Sequence, residues 1–298
     1  MAVAPGAEPT SHRFALGFRA PYDYAALLAF FAKRAIPGVE RVDAHSYERV
    51  FSIGGQSGRL RVAAREGVAA LEVRVDGVDA TMLGDVEVRV RRMFDVDADI
   101  AAINAHLGRR AQLRRAVAMH PGQRLPGGWD GFEIAIRAVL GQQVTVAAAR
   151  TLTERVVRKF GEHISLADGA RAQLFPMPAV LADADLGGLG ITGARMRTLV
   201  AIAQAVAGGA VDFRPQPLPE FVARWTAIPG IGAWTAHYLA MRAMNHADAF
   251  PAADIVLRKA VARGGGAVPT RVLEAMAERW RPYRAYAVLH LWRSTMPG

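Results

Sequence analysis

The 298-residue chain has no cysteine. That excludes disulfides, thiolate zinc sites, iron–sulfur clusters, a thiol nucleophile and a methyl-accepting thiol. It fits a reducing compartment. Long apolar runs are missing as well. Leu199 to Val211 is interrupted by Gln204, Gly208 and Gly209, well short of the ~18 uninterrupted apolar residues of a membrane span. Met1 to Gly17 lacks the cationic and then apolar build of a secretory leader. The expectation is a soluble cytoplasmic protein with no membrane partner. The eight histidines show no H-E-x-x-H or H-x-E…C-x-x-C spacing, so no metal enzyme is expected. Lysine is scarce, with only Lys33, Lys159 and Lys259.

What is present is globular. Hydrophobic residues make up 52% and charged ones 21%, a balance that supports a folded core rather than a disordered chain. A length near 300 suggests roughly two domains of about 100–200 residues. The formal charge is +10, from 37 basic and 27 acidic residues. Such an excess suits a phosphate polymer. An Ala-, Gly- and Arg-rich composition also follows from genomic bias, so charge alone leaves both readings open. The excess is uneven: +3 over residues 1–115 and +7 over 116–298.

The first part reads as α+β. Arg13–Phe18 is a strand candidate. Asp23–Ala35 is helical, with Tyr24, Leu27, Leu28 and Phe31 at i, i+3, i+4 and i+7. Strand-like runs at Ser46–Ile53, Arg59–Ala64 and Ala69–Val75 are separated by glycine-bearing turns, as in an antiparallel meander. Residues 82–94 stay open: Val86, Val88 and Val90 alternate like a strand, while Met82, Val86, Val90 and Phe94 fit a helical stripe. Helical periodicity then dominates. The spacing predicts helices at 97–107, 109–118, 130–141, 144–160, 178–184, 193–207, 218–226, 233–244, 254–263, 269–279 and 283–294. The division is an antiparallel-sheet domain over 1–115 and an all-α domain over 116–298.

Two motifs carry chemistry. The first is Ile228-Pro229-Gly230-Ile231-Gly232-Ala233-Trp234-Thr235-Ala236, between two predicted helices. Proline ends the first helix, and two glycines permit tight turns and close approach by a ligand. Amides around Gly230 and Gly232, with the following helix start, form an anion site. This is the layout of a helix–hairpin–helix element, which grips a DNA phosphate without reading sequence. An ordinary glycine-rich turn is the plainer alternative. The second is Phe250-Pro251-Ala252-Ala253-Asp254 before an apolar and basic helix. Asp is a favoured N-cap, and a capping Asp can still face a cleft.

Together these residues resemble the 3-methyladenine DNA glycosylase II (AlkA) family of helix–hairpin–helix glycosylases. The hairpin pattern matches Ile228–Ala236, and the family's catalytic aspartate falls on Asp254. Phe132–Thr145 is similar to the first helix of the family's glycosylase domain and the turn after it. Trp280–Trp292 resembles the terminal helix. Pro21-Tyr22-Asp23-Tyr24 and the strands after it look like the family's opening sheet domain. The resemblance spans nearly the whole chain and makes 82–94 a helix.

It implies excision of alkylated bases, such as 3-methyladenine and 7-methylguanine, from duplex DNA by base flipping. Asp254 would stabilise the sugar cation or act on water. Trp234, Tyr238 and Trp292 would wall the base pocket, where aromatic faces attract an electron-poor ring. Amides of Gly230, Gly232 and Thr235 would hold phosphate, and Gln143 would fill the vacated stack. Bifunctional members carry a Schiff-base lysine where this chain has Trp234, so strand cutting is not expected. Some members wedge an apolar side chain at the position of Gln143. No cofactor is required, although hairpin carbonyls suit a monovalent cation. The partner is double-stranded DNA, and the protein is expected to be a monomer, associated with the nucleoid if bacterial. Three rival readings remain: a non-catalytic hairpin module, a glycosylase for oxidised or mismatched bases, and a basic protein unrelated to DNA.

Overall fold

The computed structural model describes residues 10–166, 168–262 and 265–295. Part of the opening stretch read for a leader, the expected helix end at 263 and Gly264 lie outside them. The first part comprises β1 (Ser11–Gly17), α1 (Tyr24–Ala32), β2 (Glu40–Val42), β3 (Ser46–Ile53), β4 (Gln56–Ala64) and β5 (Ala70–Asp76). Helices α2 (Leu83–Phe94), α3 (Ile100–Leu107), α4 (Arg114–Met119), α5 (Gly131–Leu140) and α6 (Val146–Phe160) follow. Then come the strands β6 (His163–Ser165) and β7 (Arg171–Gln173). The chain closes with α7 (Pro178–Ala182), α8 (Gly193–Ala207), α9 (Leu218–Thr226), α10 (Ala233–Ala243), α11 (Ile255–Ala260), α12 (Thr270–Ala277) and α13 (Arg284–Ser294).

The five long-range strands form one antiparallel sheet in the order β1-β5-β4-β3-β2. The expected meander is β3-β4-β5, with Ser46 opposite Ala63 and Arg59 opposite Asp76. Alternating Leu60 and Val62 on β4, and Leu71, Val73 and Val75 on β5, are fully buried, which fixes the register because a one-residue slip would expose them. Helix α2 settles the open segment. Val86, Val90, Met93 and Phe94 are buried while Val88 is 63% exposed. A strand would have put Val88 on the same face as its two valine neighbours.

A second core begins at Ile100 and runs through the remaining helices. Its centre is α5, buried along almost its whole length, packed against α10. Small residues allow that: Ala236, Ala240 and Ala243 are completely buried.

Three expectations need correction. Strand β2 was not foreseen, and the hairpin β6-β7 interrupts a region read as all helix. Both involve three-residue strands, too short to show a period. The helix expected at 109–118 starts only at Arg114, because residues 109–113 form turns, with Leu113 N donating to Arg110 O at 3.0 Å. Elsewhere the caps trim the ends. Asp99 accepts from Ala102 N at 3.1 Å and Thr145 from Ala148 N at 3.1 Å, so α3 and α6 start later than periodicity suggested.

Candidate active site

The hairpin is built by two apolar anchors and one left-handed glycine. Ile228 and Ile231 are buried, while Pro229, Gly230 and Gly232 are exposed. Gly230 has φ +89° and lies so close to Thr198 of α8 that a Cβ there would come within 2.0 Å of the Thr198 hydroxyl. Only glycine fits both constraints. Gly232 is extended (φ −90°, ψ 172°), caps α10 and faces open space. The first amides of α10, at Ala233, Trp234 and Thr235, have no partner within the helix. They end the hairpin as a partly positive rim.

Thr235 itself is buried, and its hydroxyl accepts from Gln142 Nε2 at 3.3 Å. That bond ties the hairpin to the α5–α6 turn. Arg195 donates to the Gln142 carbonyl from a third side. At the tip of this turn Gln143 is exposed, with φ +55°. A non-glycine residue in that region is uncommon and costs energy. Here the surrounding bonds hold it, and the side chain projects outward beside exposed Val144 and Val146.

Asp254 both caps α11 and meets the two tryptophans picked out in sequence. Its Oδ1 accepts from Val256 N at 2.9 Å, Leu257 N at 3.0 Å and Trp292 Nε1 at 3.3 Å. Its Oδ2 accepts from Trp234 Nε1 at 3.0 Å. All four described donors are neutral, so they orient the carboxylate without cancelling its charge. Trp234 stacks on Tyr238 with ring centroids 5.3 Å apart and planes within 10°. Trp292 lies 6.5 Å from Tyr238. The fold thus gathers Asp254, Trp234, Tyr238 and Trp292 into one cluster.

Beside it lies a cavity of about 200 Å³. Trp234 and Tyr238 line it; Asp254 and Trp292 stand outside the lining. Phe30, Arg34, Trp129 and Arg242 also line it, none of which sequence reasoning singled out. Arg242 sits beneath the aromatics, its guanidinium carbon 4.7 Å from Phe30, 5.4 Å from Tyr238 and 5.7 Å from Trp292. Arg34 lies 3.8 Å above Phe30. Burial lowers the Arg34 guanidinium to about 10. Burial alone would push the Tyr238 phenol up, but Arg242 and Arg34 outweigh it and hold it below the ordinary value. A buried phenol between two guanidinium groups is the polar end of the cavity.

A balanced ion network forms one wall. Arg49 of β3 donates to Glu133 of α5 at 3.0 Å, and Arg137 of α5 to Glu40 at 2.6 Å; Glu40 also accepts from the Tyr47 hydroxyl at 2.6 Å. Burial works to raise the Glu40 carboxyl, yet Arg137 and Arg49 bring it below the usual range. The network fastens the sheet to the central helix. Its sequence signal was Arg49, which falls between Tyr47 and Phe51 on the inward face of a strand. A buried charge there demands a partner.

Comparison with known proteins places the chain. Residues 13–130 match the AlkA N-terminal domain, and residues 136–284 match the HhH-GPD superfamily base excision DNA repair protein family. The chain is 33% identical over 283 residues to DNA-3-methyladenine glycosylase 2 of Escherichia coli, covering 94% of this chain and 96% of that one. It is 37% identical over 285 residues to the probable bifunctional transcriptional activator/DNA repair enzyme AlkA of Mycobacterium tuberculosis. That match covers 93% of this chain, which spans only 56% of the mycobacterial protein. In structure it resembles a 3-methyladenine DNA-glycosylase from Archaeoglobus fulgidus, with a TM-score of 0.82 at 19% identity, over 94% of this chain and 97% of that one. The chain belongs to the HhH-GPD superfamily of base excision DNA repair proteins, in the DNA glycosylase family that opens with an AlkA N-terminal domain.

Proposed function

We propose that the protein is a monofunctional DNA glycosylase that flips alkylated bases out of duplex DNA and hydrolyses the N-glycosidic bond. The observation that carries this is the Asp254 carboxylate, held by neutral donors between two indoles at a helix start. Alkylated purines are cationic and leave readily. What the reaction lacks is an anion near the sugar carbon as positive charge develops there. Asp254 supplies that charge. The base departs with the electron pair of the glycosidic bond, water adds to the sugar carbon, and the proton of that water passes to Asp254 or to solvent.

The other residues take roles set by position. Amides at Gly230, Gly232 and Thr235 grip a phosphate next to the lesion. Gln143 enters the gap left by the flipped base, whose extraction costs about a few kcal/mol. Trp234 and Tyr238 wall the base, and Trp292, outside the cavity lining, completes that wall beside Tyr238. Trp234 occupies the place of the lyase lysine in strand-cutting relatives, so no Schiff base forms. Within the hairpin, Ile228 O and Gly232 O accept from Ile231 N and Ala236 N. The carbonyls between them are neutral oxygen donors of the type a monovalent cation takes. A cation there would add positive charge at the phosphate grip. The protein works as a monomer in the cytoplasm, on the nucleoid in a bacterium. No described helix is long and apolar enough to cross a membrane.

Base release from duplexes carrying 3-methyladenine, 7-methylguanine, hypoxanthine or uracil tests the reading. Wild type should release the alkylated bases without cutting the strand, and Asp254→Asn should bind but not release. Release of 3-methyladenine at the wild-type rate by Asp254→Asn would remove Asp254 from the mechanism. Borohydride trapping of an enzyme–DNA adduct would overturn monofunctionality.

A further inference from the structure

A second basic site lies away from the base cavity and shares no lining residue with it. The turn carrying Arg109 and Arg110 faces helix α12, and Arg271 and Arg279 line the other side of the groove between them. On α12 the lining positions follow i, i+1, i+4 and i+5 from Arg271, one face of the helix, and Arg279 extends it from the 3-10 turn over Glu278–Trp280. Val272 and Met276 lie on that face, and buried Trp280 closes the floor. Glu274, three residues after Arg271, falls off the stripe, and no described carboxylate lines the groove.

The four arginines are unpaired among the described residues. Their neighbours are not: Arg281 bonds Glu278 and Asp248, and Arg284 bonds Asp248. Arg110 also has a buried Nε with no partner. Two segments some 160 residues apart in sequence therefore bring four permanent charges to one groove without an internal counter-charge. Such clustering is electrostatically unfavourable until an anion arrives. Duplex DNA presents about one phosphate charge per 1.7 Å of axis, and the guanidinium fork takes phosphate oxygens in pairs. Apolar Val272 and Met276 offer nothing to a small, fully hydrated anion but suit sugar edges.

We propose that this groove is a second DNA-backbone site, engaged by duplex outside the lesion, and that it rests on the glycosylase reading above for its choice of polyanion. It adds sequence-independent, salt-sensitive grip and takes no part in base release.

The test is the triple variant Arg109→Gln/Arg271→Gln/Arg279→Gln, all exposed positions. An equal charge loss outside the groove, Arg13→Gln/Arg65→Gln/Arg171→Gln, is the control. Affinity for undamaged duplexes of about 12 and about 40 base pairs is followed against salt. On the long duplex the groove variant should bind on the order of tenfold more weakly, its log–log salt slope falling by about 2–3 at roughly 0.9 per lost contact. On the short duplex it should match wild type. An unchanged slope on the long duplex overturns the proposal. So does an equal fall in the control. Loss of binding to polyglutamate with DNA binding intact overturns it in favour of an acidic protein partner. Single-turnover base release on the short duplex should equal wild type. If wild type releases no base at all, the glycosylase reading fails, while the salt slopes still report on the groove.

Discussion

Helices α5 and α11 start alike and do different things. Each begins with an aspartate whose Oδ1 accepts two backbone amides. Asp130 takes Phe132 N at 2.8 Å and Glu133 N at 3.2 Å; Asp254 takes Val256 N at 2.9 Å and Leu257 N at 3.0 Å. The difference lies in the second oxygen. At Asp130 it faces the Arg89 guanidinium at 3.6 Å. At Asp254, among the described residues, it accepts only the Trp234 indole N–H. A guanidinium cancels the carboxylate's charge, whereas an indole aims it and leaves it whole. Identical local signals therefore yield a structural cap in one place and a fixed negative charge beside an aromatic cluster in the other.

The sharpest way to break this comparison is to remove both charges in turn. Asp254→Asn keeps a capping oxygen and should lower single-turnover base release by at least about 10³-fold, within reach of a lost electrostatic contact of about 4 kcal/mol. Binding to undamaged duplex should stay within a few-fold of wild type. Asp130→Asn should leave base release unchanged. Comparable losses in the two variants would erase the distinction.

A third carboxylate shows what full burial does. Asp95 also accepts neutral donors, Tyr286 OH at 3.0 Å and Leu125 N at 2.8 Å, but it is buried. Burial pushes it up from 3.8 to about 6, against the pull of Leu125 N, Tyr286 and Arg124. A raised carboxyl means the folded state holds its proton more tightly. That stabilisation is complete below 3.8 and is lost as pH rises through about 6. Asp95→Asn should therefore gain stability relative to wild type by on the order of 2–3 kcal/mol between about pH 4 and pH 7. Urea unfolding at several pH values checks it, and parallel curves for the two proteins would refute it.

Next in size is Trp234→Phe, which keeps an aromatic face against Tyr238 and deletes the indole donor. Base release should fall about tenfold, as expected for loss of one bond of about 1.4 kcal/mol to a charged group. Trp292→Phe, removing the longer bond at 3.3 Å, should cost less. A larger effect from Trp292 would mean that packing rather than carboxylate aiming dominates.

Much of this was legible in the sequence. The strands β3, β4 and β5, the order of the helices, the hairpin and the cap at Asp254 all follow from period, glycine and proline placement, and N-cap chemistry. What was not legible depends on residues far apart in the chain. Asp130 and Asp254 each stand at the start of a predicted helix, and nothing local tells them apart, because Arg89 and Trp234 reach them from elements 41 and 20 residues away. Phe30 lies off the buried stripe of α1, so helical period marks it as outward; only the fold turns that face toward Arg242. The groove arginines come from opposite ends of the helical region. Charge counting located the excess after residue 115, but half of that groove, Arg109 and Arg110, lies before it.

The smallest effect separates cap from charge. Replacing an N-cap aspartate by alanine costs about 0.5–2 kcal/mol, so Asp130→Ala and Asp254→Ala should both lower stability. They should not lower it equally. Asp130→Ala also strips Arg89 of its carboxylate, a half-exposed pair worth up to about 1 kcal/mol before screening. Asp254→Ala loses its cap too, but relieves a carboxylate that no described cation bonds. Asp130→Ala should therefore be the more destabilising, by a few tenths to about 1 kcal/mol, in urea unfolding at low salt, and the gap should narrow as salt screens the Arg89 contact. A gap that persists in high salt would assign the difference to cap geometry. A reversed gap would mean that the bonds Asp254 makes to α11 and to the two indoles outweigh the cost of its charge.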